Sequence, residues 1–167
     1  MADILLKIEG LTKSFGSTHA NKNIDLELRA GEVRGLAGEN GSGKSTLLSQ
    51  IAGMYGSDSG TMLLEGQSYK PSSPIDAQSR GISMIVQELG MIGNLPSGIN
   101  IFMGNTKRFT KGPFLNLKQF YAEAEEVRKK WDLPPLNFKR MAGTMNVEQR
   151  KMMELVRALA CDPKILI

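Results

Sequence analysis

At 167 residues the chain is about one domain long, and its 41% apolar and 23% charged residues are those of an ordinary globular sequence. Its 21 basic and 17 acidic residues leave a net charge of +4 with no run of five like charges, which reads as a solvated surface and not as a nucleic-acid face. The single cysteine, Cys161, excludes an internal disulfide and suits a reducing compartment, no stretch approaches the ~18 continuous apolar residues of a membrane helix, and "MADILLKIEG" lacks the basic start and apolar core of a secretory signal. A cytoplasmic location is expected.

In chain order, "ILLKIEG" (4–10) is a short apolar run with strand character. "NIDLELRAGE" alternates Ile24, Leu26 and Leu28 with Asp25, Glu27 and Arg29, the period of a half-covered strand. Val33 to Ala37 reads as a short strand of small residues that runs directly into "GENGSGKSTLLSQIAGMY". Within it, Thr46, Leu47, Leu48, Ile51 and Ala52 have helical period. "ISMIV" (82–86) is a further apolar strand. "LKQFYAEAEEVRKKW" puts Phe120, Ala124, Val127 and Trp131 at helical spacing, with Glu125 and Lys129 as an i,i+4 pair and Pro134 and Pro135 to end the helix. A last helix carries Arg150, Met152, Leu155, Val156 and Leu159, and the final Ile165, Leu166 and Ile167 read as a strand covered on both faces of a parallel sheet.

Gly38, four residues, Gly43, Lys44 and Ser45 form the G-x-x-x-x-G-K-[ST] pattern of a phosphate-binding loop. Glycines at 38, 41 and 43 let the backbone turn its N–H groups inward around an anion, in conformations that a Cβ resists. The helix that follows adds its positive end. Glu39, Asn40, Ser42 and Thr46 complete the loop; Lys44 is expected to reach the β and γ phosphates, and the Ser45 hydroxyl to ligand Mg²⁺. The loop implies a nucleotide but leaves the reaction open, since kinases, GTPases and several ATPases all use one.

The surrounding residues narrow it. "LTKSFG", "AGEVRGLAGENGSGKSTLLSQIAGMYGSDSGTMLLEGQ" and "GISMIVQELGMIGNLPSGINIFMG" resemble the nucleotide-binding domain of ABC transporters, over nearly the whole chain. Gln87-Glu88 followed by "NLPSGINIFMG" is similar to the first of the two tandem ATPase halves of bacterial monosaccharide importers. The resemblance implies a P-loop α/β core with an antiparallel β layer and an inserted helical subdomain: residues 1–90 as nucleotide-binding core, 91–143 as helical subdomain, 144–167 as signature helix and the beginning of the next core strand. It implies ATP and Mg²⁺ as ligands, a second ATPase domain and a membrane permease as partners, and a peripheral place on the inner face of the membrane. Phe15 matches the aromatic residue that stacks on adenine. Gln87 matches the glutamine that reaches Mg²⁺ and the attacking water. Taken alone, Phe15 reads as a core phenylalanine and Gln87 as a strand end.

At the family's signature, usually Leu-Ser-Gly-Gly-Gln, this chain has "MNVEQ", Met145 to Gln149. Asn146 is expected to cap the following helix and Glu148 to favour its dipole, while the same carboxylate repels a phosphate. This departure keeps open a second reading, a non-catalytic nucleotide-binding module with a degenerate half-site. The run "DPKILI" matches the family's strand up to its last apolar letters, just short of the carboxylates that serve there as Mg²⁺ ligand and general base. The expectation is therefore an incomplete domain that binds nucleotide and does not hydrolyse it alone, and His19 lies too early to stand in for the family's later histidine.

Overall fold

The computed structural model describes residues 3–86, 90–104, 106–111 and 114–167. They form two compact units, 1–82 and 83–167.

The first unit is built on an antiparallel sheet in the order β2-β1-β3-β4, from β1 (Ile4–Phe15), β2 (Thr18–Arg29), β3 (Ser59–Leu64) and β4 (Gln67–Ser68). The long hairpin of β1 and β2 pairs Ile8 with Leu26 and Leu11 with Ile24, so the alternation read in the sequence puts its apolar members on one face. Leu6, Ile8 and Leu11 are fully buried there, with Met62 and Leu64 of β3. Helix α1 (Lys44–Ile51) buries Leu47 and Ile51, and α2 (Pro74–Ser79) starts where Ser73 accepts a hydrogen bond from the Asp76 N–H, with Pro74 at its first position.

Tyr69 closes this core: it is 2% exposed and its hydroxyl donates to the Ile51 carbonyl at 2.8 Å. Burial pushes that hydroxyl up to about 12 from its ordinary 10.0. Because the folded state holds the proton more tightly, the contribution is complete below pH 10 and is lost as pH rises through about 12. Unfolding free energies measured along that range are expected to fall as pH rises, and Tyr69→Phe to remove this part of the slope. An unchanged slope in the variant would assign the loss to other groups.

One expected strand does not form. The described segment 33–41 lies in no strand, Val33 is 99% exposed and Leu36 is 40% exposed. A short apolar run becomes a strand only when a neighbour pairs with its backbone, and among the described residues none does.

The second unit begins at the second residue of β5 (Ile82–Ser83) and holds α3 (Ser97–Ile101), a 3-10 turn at Thr106–Phe109, the small hairpin of β6 (Thr110–Lys111) and β7 (Phe114–Leu115), α4 (Leu117–Lys130), α5 (Val147–Leu159) and β8 (Ile165–Leu166). Its core gathers Ile101, Phe102, Phe109, Phe120, Ala124, Phe138, Met153 and Val156. Phe109 and Phe120 stack with centroids 4.1 Å apart, and Phe102 packs on both. Helix α4 buries Phe120 and Ala124 as its period predicts, but its salt bridge is Glu125 to Arg128 (2.6 Å), one turn position short of the expected Lys129. Its end also precedes the prolines. Asp132, at φ 48, turns the chain left-handed, the Asp132 N–H donates to Lys129 and the Leu133 N–H to Arg128, which satisfies the last carbonyls before Pro134 is reached.

The cap on α5 forms as expected. Asn146 Oδ1 accepts from the Gln149 N–H at 2.8 Å, and Gln149 returns a bond to the Asn146 N–H at 3.3 Å, a reciprocal capping box. At the end of the chain, the Ile167 N–H donates to Ser83 and its carbonyl accepts from Ile85, the alternation of parallel neighbours. Ile165 is buried while Leu166 is 43% exposed, so the strand is covered on one face and not on both.

Candidate functional site

The candidate site lies within the first unit, where the loop 38–46 meets the start of α1. Gly43 is the N-cap of α1 in the left-handed conformation, with no side-chain cap and no acidic residue in the first turn. The first helical bond runs from the Leu47 N–H to the Gly43 carbonyl, so the N–H groups of Lys44, Ser45 and Thr46 have no intrahelical acceptor. An uncapped, uncharged helix start of this kind suits an anion.

Two features make the loop specific. Gly43, at φ 86, faces β2 so closely that a Cβ there would overlap the Ala20 carbonyl and the Asn21 carboxamide. Only glycine fits, on both conformational and steric grounds. The Lys44 ammonium folds back across the loop and donates to the carbonyls of Gly38 (2.8 Å) and Glu39 (2.6 Å), with Ser42 Oγ at 3.4 Å. A cation is thus held at the centre of the turn while Glu39, Asn40, Gly41, Ser42 and Ser45 remain exposed around it and Thr46 is half-buried. Phosphate oxygens replace carbonyl oxygens at such an ammonium with shorter, charge-assisted bonds. The loop therefore fits a nucleotide's phosphates. For Mg²⁺, the exposed Ser45 hydroxyl at the start of α1 is of the donor type that binds the ion together with phosphate oxygens.

Beneath the loop sits a pair that the sequence did not announce. Asn21 and Gln50 are 4% and 0% exposed, and their carboxamides meet at 2.8 Å. With its nitrogen toward the carbonyls of Ala20 (2.7 Å) and Gly43 (3.0 Å) and its oxygen toward the Leu47 N–H (3.1 Å), Asn21 ties strand β2 to the start of α1. An asparagine in a strand pattern ordinarily signals a turn, so only the fold reveals this brace. Asn21→Ala leaves the Gln50 amide without its partner and is expected to cost about 1–3 kcal/mol. Urea unfolding would show it as a lower midpoint at unchanged slope; an unaltered midpoint would mean that Asn21 is not a brace.

Phe15 ends β1 opposite Thr18, 45% exposed. From Thr18 the same strand reaches Asn21, three residues or roughly 10 Å further at a strand's rise. The hairpin thus places Phe15 in the same unit as the loop. The ring of Phe15 meets Tyr55 edge-on, with centroids 5.4 Å apart. Gln87 and Glu88 lie outside the described residues.

A glycine cradle at an uncapped helix start is the geometry that suits a phosphate-binding loop. The ABC transporter family model matches residues 21–167, and the chain belongs to that family. Among its relatives, a putative ribose/galactose/methyl galactoside import ATP-binding protein of Burkholderia ambifaria is 36% identical over 99% of this chain. The ribose import ATP-binding protein RbsA of Ruegeria sp. is likewise 36% identical over 99%. The chain spans about a third of the length of these relatives, 32% of each. Among solved structures, the ATP-binding cassette MJ1267 of an ABC transporter superposes with a TM-score of 0.82 at 26% identity, covering 98% of this chain and 68% of that one. Its ADP conformation gives 0.79 at 25% identity, covering 98% and 67%. The fold is that of an ABC ATPase cassette, of which the chain spans about two thirds.

Proposed function

We propose that the chain is part of the ATP-binding subunit of an importer, and that the cargo is a monosaccharide. The observation that carries this is the built phosphate loop, Gly38 to Thr46 with Lys44 at its centre, in a chain whose relatives are named as ribose and galactose import ATP-binding proteins. In this reading Gly38, Glu39, Asn40, Gly41, Ser42 and Gly43 wrap the phosphates with backbone N–H groups, Lys44 bonds the outer ones, and Phe15 offers its face to adenine. Ser45, with Gln87, would hold Mg²⁺, which supplies charge neutralisation on the phosphates. The proposed partners are a second ATPase domain and a membrane permease. Among the described residues no helix is long and apolar enough to cross a membrane; a peripheral place on the permease is part of the same proposal. The core, helical subdomain and signature segments, 1–90, 91–143 and 144–167, belong to the same proposal.

Hydrolysis makes a different demand. Lys44 and Ser45 neutralise and orient, but Gln87 is a neutral carboxamide and a poor proton acceptor. Residues 1–167 by themselves are expected to bind ATP and release phosphate very slowly.

A second reading, a passive half-site, draws on the start of α5. There Asn146 already occupies the Gln149 N–H, and the exposed Glu148 stands in the first turn, so a phosphate from an opposing site meets a filled cap and a like charge. Reconstitution of the complete protein with its permease in vesicles separates the two. ATP-driven uptake of ribose or galactose that disappears with Lys44→Ala supports the importer; uptake indifferent to Lys44 supports the passive site.

A further inference from the structure

We propose that Tyr55 and Asp58, in the loop that follows α1, are positioning residues for the nucleotide base: they hold the Phe15 ring in place from outside the hairpin that carries it. The inference rests on the reading of the loop 38–46 as a nucleotide site and adds to it a specificity element.

Phe15 sits at the tip of a two-stranded hairpin beside Gly16 at φ 59, a place where a side chain has few neighbours of its own. What fixes it comes from residues forty or more positions later. The Asp58 carboxylate accepts from the Lys13 ammonium (2.8 Å) and from the Ser14 N–H (2.7 Å), and the Asp58 N–H donates to the Thr12 carbonyl (2.9 Å). Three bonds thus grip the three residues ahead of Phe15. The hydrogen bond from Lys13, with that from Ser14, also holds the Asp58 carboxyl below the usual carboxylate range, so the grip is a charged one at neutral pH. Tyr55 then meets the Phe15 ring at an interplanar angle of 79°, and the Lys13 ammonium lies 5.6 Å from the same ring's centre.

The arrangement links the two ends of a bound nucleotide. Tyr55 and Asp58 follow closely on the helix whose first turn forms the phosphate seat, and Met54 and Tyr55 are tied back to it through bonds to the Ser49 carbonyl. The loop therefore registers Phe15 against α1, and a base stacked on Phe15 against phosphates at Gly43. A flat ring gains more from stacking when the partner ring is already held still, because less ordering is left for binding to supply; an edge-on neighbour and a gripped backbone hold it so.

Calorimetric titrations of the full 167-residue chain with ADP and with inorganic triphosphate, which has no base, test this. Tyr55→Leu is expected to weaken ADP roughly five- to tenfold and to leave triphosphate unchanged, a loss of the size that one stacked base supplies. Tyr55→Phe, which keeps the ring, should retain the wild-type ADP affinity. Phe15→Ala should weaken ADP similarly, and adding Tyr55→Leu to it should cost nothing more, because Tyr55 acts through Phe15. Asp58→Asn, which preserves volume, should lower ADP affinity alone, and carries the test should Tyr55→Leu fail to fold. Equal losses for ADP and triphosphate, or additive losses with Phe15→Ala, would overturn the proposal. A wild type that binds triphosphate as well as ADP would overturn it while leaving the phosphate seat intact; one that binds neither would remove the nucleotide reading and this proposal together.

Discussion

Lys44→Ala is expected to weaken ATP and ADP by roughly 100-fold, about 3 kcal/mol, the loss of one or two charge-assisted hydrogen bonds. The ammonium lies across the loop, 2.8 Å from the Gly38 carbonyl and 2.6 Å from that of Glu39, so its removal takes away both the cation aimed at the phosphates and the link that keeps the turn closed. Its side chain is half-buried and contributes little to the core, which predicts a thermal midpoint close to wild type. Titration with a fluorescent nucleotide checks the first part and a melting curve the second. Equal affinity in variant and wild type would end the assignment of this loop.

The largest stability effect is expected at Phe120. The residue is 0% exposed, stacked on Phe109 and packed on Phe102, at the centre of the second unit's core. Phe120→Ala removes one of three mutually packed aromatic rings and should cost about 3–5 kcal/mol. Against a typical domain stability of about 5–15 kcal/mol, that is enough to leave this unit partly unfolded at room temperature. Urea unfolding followed by near-ultraviolet dichroism would show it. A loss below about 1 kcal/mol would mean that the three rings are not a packed cluster in solution.

How much of this was legible in the sequence differs by the physical origin of each feature. The proposed phosphate loop stands out in the sequence because an anion held by backbone N–H groups demands glycine, lysine and a hydroxyl at fixed spacing, and those letters seldom coincide for another reason. Helices α4 and α5 were readable from Phe120 and Ala124 and from Met152 to Leu159, since period reports burial directly. The Asn146 cap was readable too, because capping is local. What escaped depends on tertiary neighbours. Val33 to Ala37 has a strand's composition, yet a strand also needs a partner. Glu125 had two basic residues in reach, and only the helix surface decides that Arg128 takes it. Asp132 ended α4 by a left-handed turn that its own letter barely suggests. Asn21 and Gln50, and Tyr55 and Asp58 around Phe15, are pairs joined across tens of residues, and no local pattern announces such a junction. Gln87 was a reading from resemblance and lies outside the described residues.

The central claim is that the backbone of Gly38 to Thr46 seats a nucleotide's phosphates. Amide chemical shifts recorded while ATP and Mg²⁺ are added to the isotopically labelled chain test it most directly. The account predicts saturable shifts at Gly41, Gly43, Lys44, Ser45 and Thr46, smaller ones at Phe15 and Tyr55, and none in the core around Phe120. Saturable binding that leaves the amides of Gly43 to Thr46 unmoved would contradict it.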